Sequence, residues 1–311
     1  MKLKRKLLWG ETLKVVAIFS VILGHIASPF GQFIFSWHMP LFFMISGFFL
    51  KLERPLQEAA RKDFKRLMIP YFIFSLIGLA VEILKRLILH REELDVFIEI
   101  KGILFSMDMS GLMNHYGLVL WFLPALFFSR LFVLVLYKIT HKILYVFILS
   151  MSLFSASFYI DLPFAIDNAC NAMLWILLGY IYFNYYQNSK WLNVFPLLAL
   201  GVFVLYGFPS LDIANKNYSY IPVNFVWATA FIGSLCLLLK NTSMLNALSP
   251  LGKYTMLLFI FHPYTNNIAY IVLEKLNFNV WYITFFFSLS LLSGLILIKM
   301  KFYNKGIFKY V

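Results

Sequence analysis

The sequence predicts an all-α, polytopic integral membrane protein with about ten transmembrane helices and both termini in the cytoplasm. Composition, the spacing of apolar runs and the sidedness of basic residues lead to that fold class. Of 311 residues, 61% are hydrophobic, 19% aromatic and only 13% charged, against about 25% charged in a soluble domain. The net charge of +13 would suggest a polyanionic partner in a soluble chain. Here it is read against the membrane instead, and no RNA- or DNA-binding motif is present, so no nucleic-acid partner is expected. No soluble domain, internal repeat or low-complexity linker interrupts residues 1–311, which read as one membrane domain.

Taken in order, each element has its own justification. A window of about 19 residues crosses roughly 30 Å of hydrocarbon, and it finds apolar runs at 7–28, 33–50, 68–89, 117–137, 142–160, 168–186, 191–208, 220–240, 253–273 and 279–299. The first follows a basic start (MKLKRK) but holds Glu11 and Lys14 and lacks a small-residue cleavage site, so it is expected to be a retained helix and not a signal peptide. The second follows a short connection containing Pro29 and Gly31, and the third begins against Pro70. The sixth and eighth hold Cys170 and Cys236, which give neither a disulfide framework nor a metal-ligand spacing and are expected to be small buried hydrophobes. Pro196, Gly201 and Gly207 in the seventh run, and His262-Pro263 in the ninth, predict kinks or breaks.

An even number of crossings puts both termini on one side. With cytoplasmic termini, nineteen Lys and Arg fall in inner segments and six in outer ones, as the positive-inside rule requires. Two longer loops stand out. The inner one, 51–67, is densely basic, and within the outer one, 90–116, Leu94 to Phe105 has the pattern of an amphipathic interfacial helix.

Ionisable groups inside hydrocarbon are costly and usually face a bundle interior or an aqueous cavity. Lys14 and His25 lie in the first run, and eleven steps at about 100° bring them to within about 20° of one face, about 16 Å apart along the axis. Glu11 lies one turn before Lys14 on the same stripe. A histidine takes a hydroxyl proton at neutral pH, which makes His25 a candidate general base. His38, at the start of the second run, is expected at similar depth, either near His25 or as a satisfied interfacial residue. Ser46 and Gly47 are read first as small residues for close helix packing, with a serine nucleophile as the lesser alternative. His262 is read as either a cavity-lining residue or part of a structural kink. Arg61, Lys62, Lys65 and Arg66 have the charge to hold phosphate at the cytoplasmic surface, although any positive-inside loop looks similar and anionic membrane lipid competes for it. Arg130, in the fourth run, is a second basic group for the same cavity, and Glu82 is a structural partner for Lys85 or Arg86.

ETLKVVAIFSVILGHI, HMPLFFMISGFFL, FKRLMIPYFIF, LWFLPALFF and LGKYTMLLFIFHPY together resemble membrane acyltransferase family 3, particularly its polysaccharide and fucose O-acetylase branch. The resemblance covers the whole chain. It implies ten membrane helices, an acyl-CoA donor (usually acetyl-CoA) from the cytoplasm, no metal, and an acceptor hydroxyl on a sugar of a cell-surface polysaccharide or its lipid-linked precursor. It implies that His25 matches the essential histidine and Lys14 the basic residue before it, where arginine is common. Arg66 matches the second arginine of a pattern whose first position falls on Asp63, so Lys62 or Lys65 is expected to substitute. A composition rich in Phe, Ile, Asn and Lys points to an AT-rich bacterial genome, and the expected location is the bacterial inner membrane. The competing class is a transporter or flippase for a lipid-linked glycan, whose usual mark is an internal repeat with broken helices in both halves.

Overall fold

Helix dominates because, within an apolar environment, a helix satisfies its own backbone polar groups. A computed structural model describes residues 2–242, 245–278, 280–302 and 305–311. Helix α1 (Lys2–Gly24) is followed by the short α2 (Gly31–Phe35) and by α3 (His38–Phe48). Next, α4 (Leu56–Asp63) passes through a π-helical turn at Phe64–Met68 into α5 (Ile69–Ile88). The outer loop forms α6 (Val96–Lys101), and then come α7 (Phe122–Thr140), α8 (Ile143–Ala156), α9 (Ile166–Ile181), α10 (Phe195–Tyr206), α11 (Ile221–Asn241), α12 (Thr255–Lys275) and α13 (Trp281–Lys301). The strands found among the described residues are β1 (Leu211–Asp212) and β2 (Asn217–Tyr218), a two-residue antiparallel pair.

Among the described residues, six helical segments are long and apolar enough to cross a membrane: Leu56–Ile88, Leu118–Thr140, Pro163–Tyr186, Ile221–Asn241, Asn246–Lys275 and Trp281–Lys301. Ile143–Ala156 and Lys190–Tyr206 are apolar but shorter. The run expected at 33–50 is not one helix: it breaks at Ser36–Trp37 into α2 and α3. At 11 residues, α3 reaches only about 16 Å, and most of its side chains are buried inside the bundle.

Two other expectations are corrected. Pro196 does not kink α10 but starts it, in the first turn where a missing amide costs nothing, and Gly207 ends it with φ of +67°. Helix α12 runs on through Pro263 instead of breaking there. The amphipathic element expected in the outer loop is present. The Asp95 carboxylate caps α6 by accepting from the amides of Phe97 (3.0 Å) and Ile98 (3.2 Å), which leaves Phe97 and Ile98 exposed while Glu99 is buried.

The core is built on close backbone approach. A Cβ on Gly47 of α3 would overlap the carbonyl of Ile176 in α9, and one on Gly179 of α9 would overlap the carbonyl of Met44 in α3. Small residues thus lock α3 and α9 together, as expected for Gly47. Cys170 and Cys236 are free and buried.

Candidate functional site around His25

Glu11 and Lys14 form an ion pair of 2.7 Å, and the Lys14 ammonium lies 5.2 Å from the centre of the Phe49 ring. Glu11 is backed by Gly252, where a Cβ would overlap its carboxylate. Further along α1, the Asn266 amide of α12 donates to the Ile22 carbonyl at 3.0 Å. At the opposite end of the packing, the Thr12 hydroxyl donates to the Leu245 carbonyl at 3.4 Å. Partners therefore advance together along both segments, so α1 and the segment Leu245–Asn266 lie side by side and run in the same direction. The stripe of Glu11 and His25 faces this one neighbour.

His25 follows directly on α1, and its imidazole meets His262 edge-on, with ring centres 5.1 Å apart and an interplanar angle of 64°. In the histidines nearest the site, a carbonyl fixes the proton. Nδ1 of His25 bonds the Val21 carbonyl at 2.9 Å, Nδ1 of His38 the Ile34 carbonyl at 3.0 Å, and Nδ1 of His262 the Phe259 carbonyl at 2.7 Å. A carbonyl only accepts, so Nδ1 carries the hydrogen and Nε2 holds the lone pair of each neutral ring. The Phe259 carbonyl is free for His262 because Pro263, four residues on, has no amide to offer it. His262 is fully buried, and its Nε2 has no hydrogen-bond partner among the described residues.

From the sequence, His38 is expected either near His25 or as a satisfied interfacial residue. In the structure Phe35 stands between them, with ring centres 5.8 Å from His25 and 5.1 Å from His38, while His262 is the direct neighbour of His25. Asn266 is held in place by Ser288 of α13, whose hydroxyl donates to its carbonyl oxygen at 2.6 Å.

His25 opens on a cavity of about 780 Å³ at the end of the bundle away from Glu11. The end of α5 (Glu82, Lys85, Arg86), the loop Met113–Val119, the middle of α12 and the start of α13 at Trp281 enclose it. His38, Ser46 and His262 are not in the wall of this cavity. Glu82 pairs with both Lys85 (2.6 Å) and Arg86 (3.1 Å), the structural role expected of it.

His115 is a wall residue that sequence reasoning did not single out. The Gly117 amide donates to its Nδ1 at 2.9 Å, so in the neutral ring the hydrogen sits on Nε2. That Nε2 is buried without a hydrogen-bond partner, at 4.0 Å from the Glu99 carboxylate, which itself accepts from the Asn114 amide at 2.8 Å. Burial pushes the His115 pKa below its ordinary value, and the nearby Glu99 and Glu82 oppose that shift. Only the folding of residue 99 against residues 114–117 creates this cluster, so the local sequence carries no sign of it.

On the other side of the bundle, Arg130 of α7 donates to Asp63 at 2.7 Å and to both the carbonyl (2.9 Å) and the hydroxyl (2.7 Å) of Ser46. Asp63, the departure from the Arg pattern, is thereby the buried counter-ion of Arg130. Ser46 is engaged by that guanidinium. Arg61, Lys62, Lys65 and Arg66 are exposed, and of the four Arg66 lies within electrostatic reach of Asp63 and Arg130. Among the described residues no group of three or more His, Cys, Asp or Glu is placed to hold a metal ion.

The family model for an acyltransferase domain, that of acyltransferase family 3, matches residues 7–299 and so nearly the whole chain. No curated protein and no solved structure matches the chain.

Proposed function

The chain belongs to acyltransferase family 3, and from that premise we propose that it transfers an acetyl group from acetyl-CoA to a hydroxyl of a sugar in a cell-surface polysaccharide or its lipid-linked precursor. One observation carries the reading: the cavity-lining imidazole of His25 has its Nδ1–H committed to Val21, which leaves Nε2 as a base. In the proposed step His25 Nε2 takes the acceptor hydroxyl proton as that oxygen attacks the thioester carbonyl. The carbon–sulfur bond then breaks, the thiolate of coenzyme A leaves, and the proton held by His25 returns to it. The products are the sugar ester and the free thiol. His262, edge-on at 5.1 Å, restricts the rotation of the His25 ring.

For the donor we assign the opposite side of the bundle. The exposed Arg61, Lys62, Lys65 and Arg66, with Arg130 behind them, supply charge for the phosphates of the donor. The Glu11–Lys14 pair, backed by Gly252, shapes the path between that surface and His25. We further propose ten crossings in a bacterial inner membrane, with both termini cytoplasmic. The common direction of α1 and α12, the first and ninth runs, supports an alternating arrangement of this kind.

The test is glycan NMR on cells with the gene deleted and complemented by wild type or by His25→Ala. Loss of acetyl signals in the deletion, restored by the wild type and not by a stably expressed His25→Ala protein, is the expected outcome. In purified protein the rate should fall by about 10²- to 10⁴-fold, the usual contribution of a general base. Unchanged acetylation with altered glycan export would sink the reading.

A further inference from the structure

Resting on the acyltransferase reading, we propose that the cavity beside His25 takes an acceptor bearing an anionic group, a carboxylate or phosphate, held by Lys85 and Arg86 at the end of α5. Glu82 is the only carboxylate in the described wall, and both of its oxygens are spent, one on Lys85 and the other on Arg86. It is only 7% exposed at the side chain, whereas Lys85 is 29% and Arg86 25% exposed. The carboxylate is therefore a buried anchor, and the two cations are what the cavity meets.

Their surroundings hold them toward it. Lys85 lies over the Tyr116 ring at 5.0 Å, and that ring is stacked on Tyr264 with centres 4.5 Å apart. Arg86 also donates to the Glu92 carbonyl at 3.0 Å. Beside them the buried His115 ring turns its Nε2–H toward the Glu99 carboxylate, at 4.0 Å, so it does not compete with the two cations for the cavity. A surface of two cations against one spent carboxylate complements an oxyanion. In the proposed topology Lys85 and Arg86 lie on the outer side, where basic residues are avoided. A ligand that needs them explains their presence there. The Trp281 ring in the wall and a volume of about 780 Å³ suit a sugar carrying that group.

Two sources supply such chemistry: a carboxylated sugar, or the diphosphate of a lipid-linked precursor. The experiment measures equilibrium binding to the purified full-length protein, without acyl donor, of methyl glucuronide, methyl glucoside and geranyl diphosphate. The wild type should hold one anionic probe at least about tenfold more tightly than the neutral glucoside, as one charge-assisted hydrogen bond supplies. Lys85→Gln and Arg86→Gln should lose that preference, and Lys85→Arg should keep it. Preference for the glucuronide identifies a sugar carboxylate, and preference for the diphosphate identifies the carrier. Glu82→Gln keeps both cations and removes their internal partner, so it should bind the anionic probe more tightly, a gain that misfolding cannot mimic. Equal binding of neutral and anionic probes by the wild type, undiminished preference in the Lys85→Gln and Arg86→Gln variants, or weaker anion binding by a folded Glu82→Gln protein would overturn the proposal. Acyl transfer is read separately, so an intact anion preference in a protein that transfers nothing would fault the acyltransferase reading alone.

Discussion

At the scale of single residues, Pro263 and His262 act as a unit. The proline leaves the Phe259 carbonyl without its helical amide, and the neighbouring imidazole fills the vacancy at 2.7 Å, which fixes the tautomer of a ring packed against His25. His262→Ala removes that donor, and an unsatisfied buried carbonyl costs about 1–3 kcal/mol. The double variant His262→Ala/Pro263→Ala returns an amide to the same carbonyl. We expect the single variant to lose thermal stability and acyl transfer, and the double variant to regain stability but not transfer. Recovery of both would mean that His262 serves the helix and has no part in orienting His25.

At the scale of elements, α3 matters through its contact with α9 more than through its length. Gly47 faces the Ile176 carbonyl and Gly179 faces Met44, so the contact is backbone against backbone and neither side has a flexible end that can yield. Gly47→Leu should cost more than the 1–3 kcal/mol or so typical of overpacking. It should also move Ser46 away from Arg130, and with it the Arg130–Asp63 pair. Gly201 in α10 is the control, because nothing lies within 4 Å of a Cβ placed there. Gly201→Ala should be neutral or stabilising by roughly 0.5–1 kcal/mol, the helix preference for alanine. Thermal midpoints of the two variants in detergent check this contrast, and equal midpoints would refute the packing argument.

At the scale of the whole molecule, the His25 cavity and the Arg130–Asp63 pair lie at opposite ends of the bundle, which accords with the proposed cytoplasmic donor and outer acceptor. Cysteine accessibility tests the sidedness directly. The native Cys170 and Cys236 are buried and leave a clean background, and Lys51 and Asn215 are both exposed. With the proposed topology, an impermeant thiol reagent should label Asn215→Cys in intact cells, and Lys51→Cys only after permeabilisation. Labelling of both in intact cells would refute the ten-crossing arrangement.

Much of this architecture was legible in the chain because hydrocarbon is an unforgiving solvent. Long apolar runs, the cost of Glu11, Lys14 and His25 within one of them, and the asymmetric distribution of basic residues each follow from local composition. The pairing of Glu82 with the next turn of its own helix was readable for the same reason, since helical spacing alone sets it. Tertiary structure decided the rest. Nothing near His25 in sequence announces His262, about 240 positions away, and nothing in the polar loop around His115 announces Glu99 behind it. Asp63 looked like a gap in a basic pattern until α7 brought Arg130 to it. The sequence by itself determined which segments are long and apolar and which of them carries Glu11, Lys14 and His25. The partners of His25, the charge of its cavity and the division of one expected span into α2 and α3 depended on packing between distant segments, which no local pattern encodes.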